Sequence, residues 1–298
     1  MSYRLVARKD FEDVVRSKML WSILGVFVLL MAIISFGIGT NDLGDATWVE
    51  ILGLFNSLGA QLLIPVTALI FGYMAIAGER QSGSLRILFG LSHDRRDVVF
   101  GKFCSRVAIM VVAAVLLCLV TLGVALALFG VPDVGTFLAF AGLTVLLAAS
   151  FTGIAVGISS LTGNRAKAMG GAIGSYVVFV LLWHPFVAAV HYLSAGELVG
   201  YDAPSWYFLL LRLNPLVAYR DALGLLTDQY LWPIIGWSTI VEDVSMEQAS
   251  GDALLLTNRL SGDLPFYLTE WGSVVVLLAW LVVPVAVGYW HFSRADLN

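Results

Sequence analysis

Charge is what this sequence has least of. Only 13% of its 298 residues are Asp, Glu, Lys or Arg, 59% are apolar, and the mean hydropathy is +0.88. A water-facing domain carries roughly a quarter charged residues, and this much apolar surface in one globule would leave broad exposed patches. Cysteine is nearly absent. Cys104 and Cys118 stand alone, which excludes a disulfide scaffold and a cysteine metal motif. The phosphate-cradling pattern G-x-x-x-x-G-K-[ST] is missing, since the one Gly-Lys pair, Gly101-Lys102, is followed by Phe103. The chain therefore has no such cradle for ATP. It lacks H-E-x-x-H and a facing Ser/His pair, as an intramembrane enzyme would need. It also shows no internal repeat or low-complexity segment.

What is present comes in blocks. A helix needs ~20 apolar residues to cross ~30 Å of hydrocarbon. Such stretches lie at about 20–38, 54–77, 106–129, 136–161, 169–190 and 273–292, with Arg106 the single charge at a mouth. The expected fold is an all-α integral membrane protein with six transmembrane helices, one domain over 1–298.

The few charges give an orientation. With the N-terminus cytoplasmic, segments 1–19, 78–106, 162–168 and 293–298 fall inside and hold 14 of the 17 Lys and Arg residues. The opposite side keeps only Arg212, Arg220 and Arg259, with 14 of the 21 carboxylates. Short cytoplasmic loops carry the basic excess, so both termini are expected inside (N-in/C-in). Arg outnumbers Lys 13 to 4. An acidic, Lys-poor exterior suits a prokaryote, a salt-loving one among them.

A basic stretch before an apolar run also describes a secretory signal peptide. The run from Leu20 to Ile38 is longer than a signal core, and its removal would spoil the charge asymmetry. Residues 1–19 are better read as an amphipathic interfacial helix. Leu5, Phe11, Val14 and Val15 supply its apolar side, and Arg4, Arg8, Asp10, Glu12 and Arg16 its polar one.

Two segments interrupt the spans. In 78–106, Leu85, Leu88, Phe89 and Leu91 recur at helical spacing, giving a short helix from about 82 to 91. Ser92 offers an N-cap to a second short helix leading into the third span. Such a helix is either a docking element or an interfacial helix resting its Leu and Phe among headgroups. The second interruption, 193–272, contains Asn214-Pro215, which starts a helix with Pro early in its first turn. Leu216, Tyr219 and Leu223 then share a side. Trp206, Tyr207 and Phe208 read as an aromatic belt.

At 78–106 the sequence resembles the membrane subunits of type-2 ABC exporters, the ABC-2-type permeases. Glu79, Arg80, Gly83, Ser84, Leu85, Leu88, Leu91, Arg95, Gly101 and Lys102 match the family pattern without an insertion. Ser92 stands where Pro is common, and His93-Asp94 replace a small or apolar pair. In outline the resemblance covers the whole chain. It implies a transport subunit that is not itself an enzyme, with ATP bound by two separate cytoplasmic ABC ATPases and no cofactor of its own. The segment 78–106 becomes the cytoplasmic coupling helix, with Leu85, Leu88, Phe89 and Leu91 in the ATPase groove and Glu79, Arg80, Arg86 and Arg95 fixing register. The structural reading of each Arg, simple positive-inside anchoring, stands beside that role. Asn214, Pro215 and Tyr219 fall in an external gate over the path. The permease partner is a second copy or a paralogue in the cell membrane, and the acidic stretch 233–270 forms a cap or docks an extracytoplasmic protein. A nucleic-acid partner is not expected. Lipid-like molecules, drugs, polysaccharides and a role in copper-enzyme maturation all suit the family.

Polar residues inside the spans are few. Gln61 and His184 are the candidates to face a pathway, because uncompensated polar groups avoid lipid; inter-helix hydrogen bonding is the competing role. Two histidines, His184 and His191, make no metal site. Gly153-x-x-x-Gly157 and Gly170-x-x-x-Gly174 are read as close helix contacts within one subunit. A secondary transporter or a scaffold subunit is the alternative function, but the former would show inverted repeats and intramembrane carboxylates, and every Asp and Glu here lies outside the six stretches.

Overall fold

The computed structural model describes residues 8, 11–12, 16–40, 48–83, 94–235, 243–245, 248, 251–260 and 263–295. Among these, the regular elements are helical; the one β-like pairing is a single bridge between Gly200 and Asp243. Among the described residues the helices of eight residues or more are α1 (Lys18–Thr40), α2 (Trp48–Ser82), α3 (Arg95–Leu128), α4 (Val134–Leu161), α5 (Arg165–Ala195), α6 (Ser205–Arg212), α7 (Pro215–Thr227) and α8 (Glu270–Arg294). Five of them, α2, α3, α4, α5 and α8, are long and apolar enough to cross a membrane. In α1 the apolar stretch Trp21–Ile33 is shorter. Its Phe27 and Met31 are buried, with the Phe27 ring edge-on to Phe55 at 5.8 Å, while Trp21, Leu29 and Ile33 face outward.

Helix α4 is the hub, and α8 lies against it almost backbone to backbone. A Cβ placed on Gly153 would sit 2.5 Å from the Leu281 carbonyl oxygen, and one on Gly157 would sit 2.5 Å from that of Pro284. On the facing helix, a Cβ on Gly288 would meet the Gly157 carbonyl oxygen at 2.7 Å. Small residues allow this approach. Ser150 adds a hydrogen bond from its Oγ to the Leu277 carbonyl at 2.7 Å. The pair Gly170 and Gly174 on α5 behaves differently. Neither Cβ would meet anything within 4 Å, so the expected intrachain contact is absent among the described residues.

The helices begin earlier than their apolar runs because polar residues cap them. Asp133 accepts hydrogen bonds from Thr136 N at 2.8 Å and Thr136 Oγ1 at 2.9 Å, which starts α4 at Val134 and holds the Asp133 carboxyl below its ordinary pKa. Asn164 accepts from Ala166 N and Lys167 N and starts α5 at Arg165. Helix α3 starts at Arg95 with Asp94 in the cap position, and runs unbroken for 34 residues. The expected short second helix and third span are therefore one element, and Arg106 lies well inside it. Ser92 and the helical stretch expected at 82–91 fall outside the described residues beyond Gly83. The stretch 3–18 lies largely outside them too, although Arg8 and Glu12 pair at 3.0 Å.

Two spans widen locally. Residues Phe55–Leu63 of α2 and Val178–Leu182 of α5 wind as π-helix. Such widening frees carbonyls and recurs at functional sites.

Candidate functional site

The sequence-predicted residues gather at two ends of the bundle. At the basic end, α2 breaks in a turn at 73–76, and the hydroxyl of Ser159 on α4 accepts both Ile76 N (2.9 Å) and Ala77 N (3.0 Å). This satisfies buried amides that the broken helix leaves open. The helical turn resumes over Ala77–Ser82 and stops at Gly83, whose φ of 74° is a left-handed conformation that favours glycine. Within that turn Glu79 forms an ion pair with Lys102 of α3 at 2.7 Å, and the Lys102 side chain is only 6% exposed. Gly101, next to it, is buried.

Arg95 turns to the end of α8 rather than to solvent. Its Nη1 donates to the carbonyls of Phe292 (3.0 Å), Ser293 (2.8 Å) and Ala295 (2.9 Å). These are carbonyls of a helix C-terminus, where a cation is favoured. Arg80 and Arg95 both lie near the buried Phe292 ring, at 5.7 and 5.9 Å from its centroid. Gln81 accepts from Arg165 N at 3.1 Å, which ties the same turn to the start of α5. The two flanks of segment 84–93 are thus fastened to α3, α4, α5 and the last turn of α8. Leu85, Leu88 and Leu91 themselves lie outside the described residues.

At the other end the described parts of segment 193–272 pack against the bundle. Asn214 caps α7 by accepting Leu216 N (2.9 Å), and its Nδ2 donates to the Phe179 carbonyl (2.6 Å) in the widened part of α5. Pro215 occupies the first turn, as its fixed φ suits. Tyr219 is buried, with its hydroxyl 3.0 Å from Thr144 Oγ1 on α4. Gln61 sits in the widened part of α2. Its Oε1 accepts Ile234 N at 2.7 Å, its Nε2 donates to the Ile235 carbonyl, and its own backbone carbonyl accepts Tyr176 Oη at 3.1 Å. Ser57 Oγ donates to the Trp232 carbonyl at 3.0 Å. Gln61 therefore latches the loop that follows α7. It also lines, with His184, Asn56, Asn214 and Tyr219, a cavity of about 430 Å³ of empty space including its mouth. The hydrogen-bonding and cavity-facing roles coincide in Gln61. His184 faces the cavity alone.

In the sequence the arginines of this segment count only toward the orientation; the structure buries two of them. Arg212 is fully buried; its Nη1 donates to the Thr269 carbonyl (2.7 Å) and its Nη2 lies 3.7 Å from Asp221. Burial pulls its guanidinium below the ordinary value, and Asp221 opposes that. Arg259 donates to the carbonyls of Tyr201 (3.0 Å) and Gly200 (3.2 Å) and stacks 4.8 Å from the centre of Phe208. Their isolation amid an acid-rich segment was the available signal. His191 stacks on Trp206 and lies 3.2 Å from the Glu197 carbonyl, a packing role. Among the described residues no cluster suits a metal ion.

Asn214 offers a direct check. Asn214→Ala removes both the cap and the tie to α5, and should cost roughly 2 kcal/mol. The expected readout is a lower thermal midpoint of the detergent-purified chain; Asn214→Asp keeps the cap acceptor but sets a buried carboxylate oxygen against the Phe179 carbonyl, so it should not restore the midpoint.

The matches to known proteins follow the whole architecture rather than one end of it. A family model described as ABC-2 family transporter protein matches residues 4–297. The chain is similar to the "Probable ABC transporter permease protein NosY" of Pseudomonas aeruginosa, with 33% identity over 228 residues, covering 72% of this chain and 78% of that protein. It is also similar to the protein of the same name from Stutzerimonas stutzeri, with 29% identity over 299 residues and 97% of each chain covered. A multi-helix apolar bundle whose basic flanks grip the end of its last span, matched along nearly its full length, belongs to the ABC-2 transporter family.

Proposed function

We propose that this chain is the permease subunit of an ATP-driven exporter, paired with a second permease and two cytoplasmic ATPases. It spans the membrane six times, with α1 as the first span and both termini cytoplasmic. The observation that carries this reading is the fastening of Glu79, Arg80 and Arg95 onto Lys102 and the end of α8. A segment that only rested among headgroups would need no such attachment. A segment that transmits force does, because movement of its tip must reach the spans without slack.

On this reading Leu85, Leu88 and Leu91 enter a groove of the ATPase, and closure of the ATPase pair moves α8 together with α4. Gln61 and Asn214 hold the outer cover shut until the bundle shifts. On this reading nucleotide binding belongs to the partner, and the lack of G-x-x-x-x-G-K-[ST] in the sequence is consistent with that. The names of the relatives, both permeases, agree with that division of labour.

The test is co-purification with a candidate ABC ATPase. Leu88→Glu combined with Leu91→Glu should abolish assembly and any stimulation of ATP hydrolysis, while the variant still purifies as a folded membrane protein. Normal assembly and stimulation by the double variant would remove the docking role.

A further inference from the structure

Two arginines at the basic end have no ion pair and no hydrogen bond among the described residues: Arg96 at the start of α3 and Arg294 at the end of α8. Both are exposed, and each stands over an exposed aromatic ring. Arg96 lies 5.7 Å from the centre of Phe100, and Arg294 lies 4.2 Å from that of Trp290. The pairs mirror one another, for in each the ring stands one turn further into the helix than its arginine. They also share a seam. Arg95 holds the carbonyls of Phe292, Ser293 and Ala295, so α3 begins beside the end of α8. One turn along, Phe100 and Tyr289 face each other across the two helices with ring centres 5.8 Å apart. Asp94 and Asp97, the carboxylates nearest Arg96 in the chain, form no ion pair with it among the described residues. The other exposed polar side chains in the last turn of α8, His291 and Ser293, carry no negative charge.

We propose that the α3–α8 seam at the basic end is a binding site for an anionic phospholipid, its headgroup taken by Arg96 and Arg294. Three features single out that occupant. A guanidinium lying on a ring has one face covered and its in-plane N–H groups open, and that planar fork fits the oxygens of a phosphate. The depth is right, because Trp and Tyr rings settle at headgroup level and arginine side chains extend to reach it. The third feature is the surface below the arginines. Val283, Val287, Trp290 and Arg294 follow one another at helical spacing on the outside of α8, and all four are exposed. Helix α8 is long and apolar enough to cross a membrane. Whatever covers this stripe therefore lies at hydrocarbon depth, where an acyl chain reaches and a soluble protein does not. Two guanidiniums without a carboxylate favour a net negative headgroup over a zwitterionic one. The lipid would join the start of α3 to the end of α8 from outside, as Arg95 does from within.

This inference stands apart from the transport reading, because lipid binding needs neither an ATPase nor one orientation in the membrane. The delipidated, purified chain is titrated with dioleoyl phosphatidylglycerol or with dioleoyl phosphatidylcholine, and bound lipids are counted by native mass spectrometry. Inorganic phosphate serves as the free-anion arm. Wild type should hold phosphatidylglycerol at least about tenfold more tightly than phosphatidylcholine, and millimolar phosphate should not displace it. Arg96→Gln and Arg294→Gln, checked as monodisperse by size exclusion, should each weaken phosphatidylglycerol binding about fivefold. Together they should erase the preference and leave phosphatidylcholine binding unchanged. Arg165→Gln with Lys167→Gln is the control, since both side chains are exposed at the same end but on α5. Equal binding of the two lipids by wild type overturns the proposal, as does displacement by phosphate, which would make the site one for a free anion. A preference that survives the Arg96→Gln, Arg294→Gln double variant overturns it too, and loss of ATPase assembly in that variant would then assign the arginines to a protein contact. An equal loss in the control pair would show diffuse surface charge instead of a site, and would likewise overturn it.

Discussion

Gly157→Leu is expected to abolish the docking of α8 on α4 and to leave little monodisperse protein after extraction. The new Cβ would lie 2.5 Å from the Pro284 carbonyl oxygen and 2.6 Å from its carbon. Both are backbone atoms, so no rotamer change relieves the clash and the two helices must separate. Overpacking a core costs about 1–3 kcal/mol where side chains can shift. Here the separation also forfeits the Ser150 bond to Leu277 and the dispersion contacts along the whole crossing. A loss above ~3 kcal/mol follows. Gly170→Leu and Gly174→Leu are the matched controls. Their Cβ atoms enter open space, so the intrachain cost should stay within about 0.5 kcal/mol. Fluorescence-detected size exclusion after graded heating reads all three.

Glu79→Gln is the second variant with a large expected effect. It takes the carboxylate from Lys102, whose side chain is 6% exposed. Removing one member of a buried ion pair costs about 3–5 kcal/mol, because the remaining charge keeps its desolvation penalty. Lys102→Met should cost less, since Glu79 is 27% exposed and reaches water more readily. The double variant, Glu79→Gln with Lys102→Met, should recover most of the stability, as replacing both members of such a pair often does. A thermodynamic cycle over the four proteins isolates the pair. Additive losses would show that the two residues act independently, against the geometry.

Five of the six expected spans were legible as helices long and apolar enough to cross a membrane, because such a helix is written as a long apolar run. Their ends were not, because a cap is a local hydrogen bond and polar residues belong to the helix beyond the run. Arg95 shows this best: it opens a 34-residue helix whose apolar part begins near Arg106. Gly153-x-x-x-Gly157 and Gly170-x-x-x-Gly174 are the same pattern with different neighbours, and spacing alone does not say which helix face meets a partner. Asn214-Pro215 was readable as a helix start, since capping acts within a few residues. The second bond of Asn214, to Phe179, was not. Nor was Gln61 as a latch, since its partners lie 173 and 174 positions away and are backbone groups with no side-chain signature. The burial of Arg212 and Arg259 on carbonyls was hidden for the same reason.

On the proposed coupling, the basic segment and the end of α8 move as one body when the ATPase closes. Spin labels on Ser82→Cys and Arg294→Cys, in a chain with Cys104 and Cys118 replaced by serine and alanine, report that directly by pulsed dipolar distance measurement in the assembled complex. Between the nucleotide-free and ATP-trapped states the 82-to-294 distance should hold to within ~1 Å, while the distance from 82 to its counterpart in the second permease changes by several ångströms. A change of several ångströms between 82 and 294 within one chain would contradict the claim.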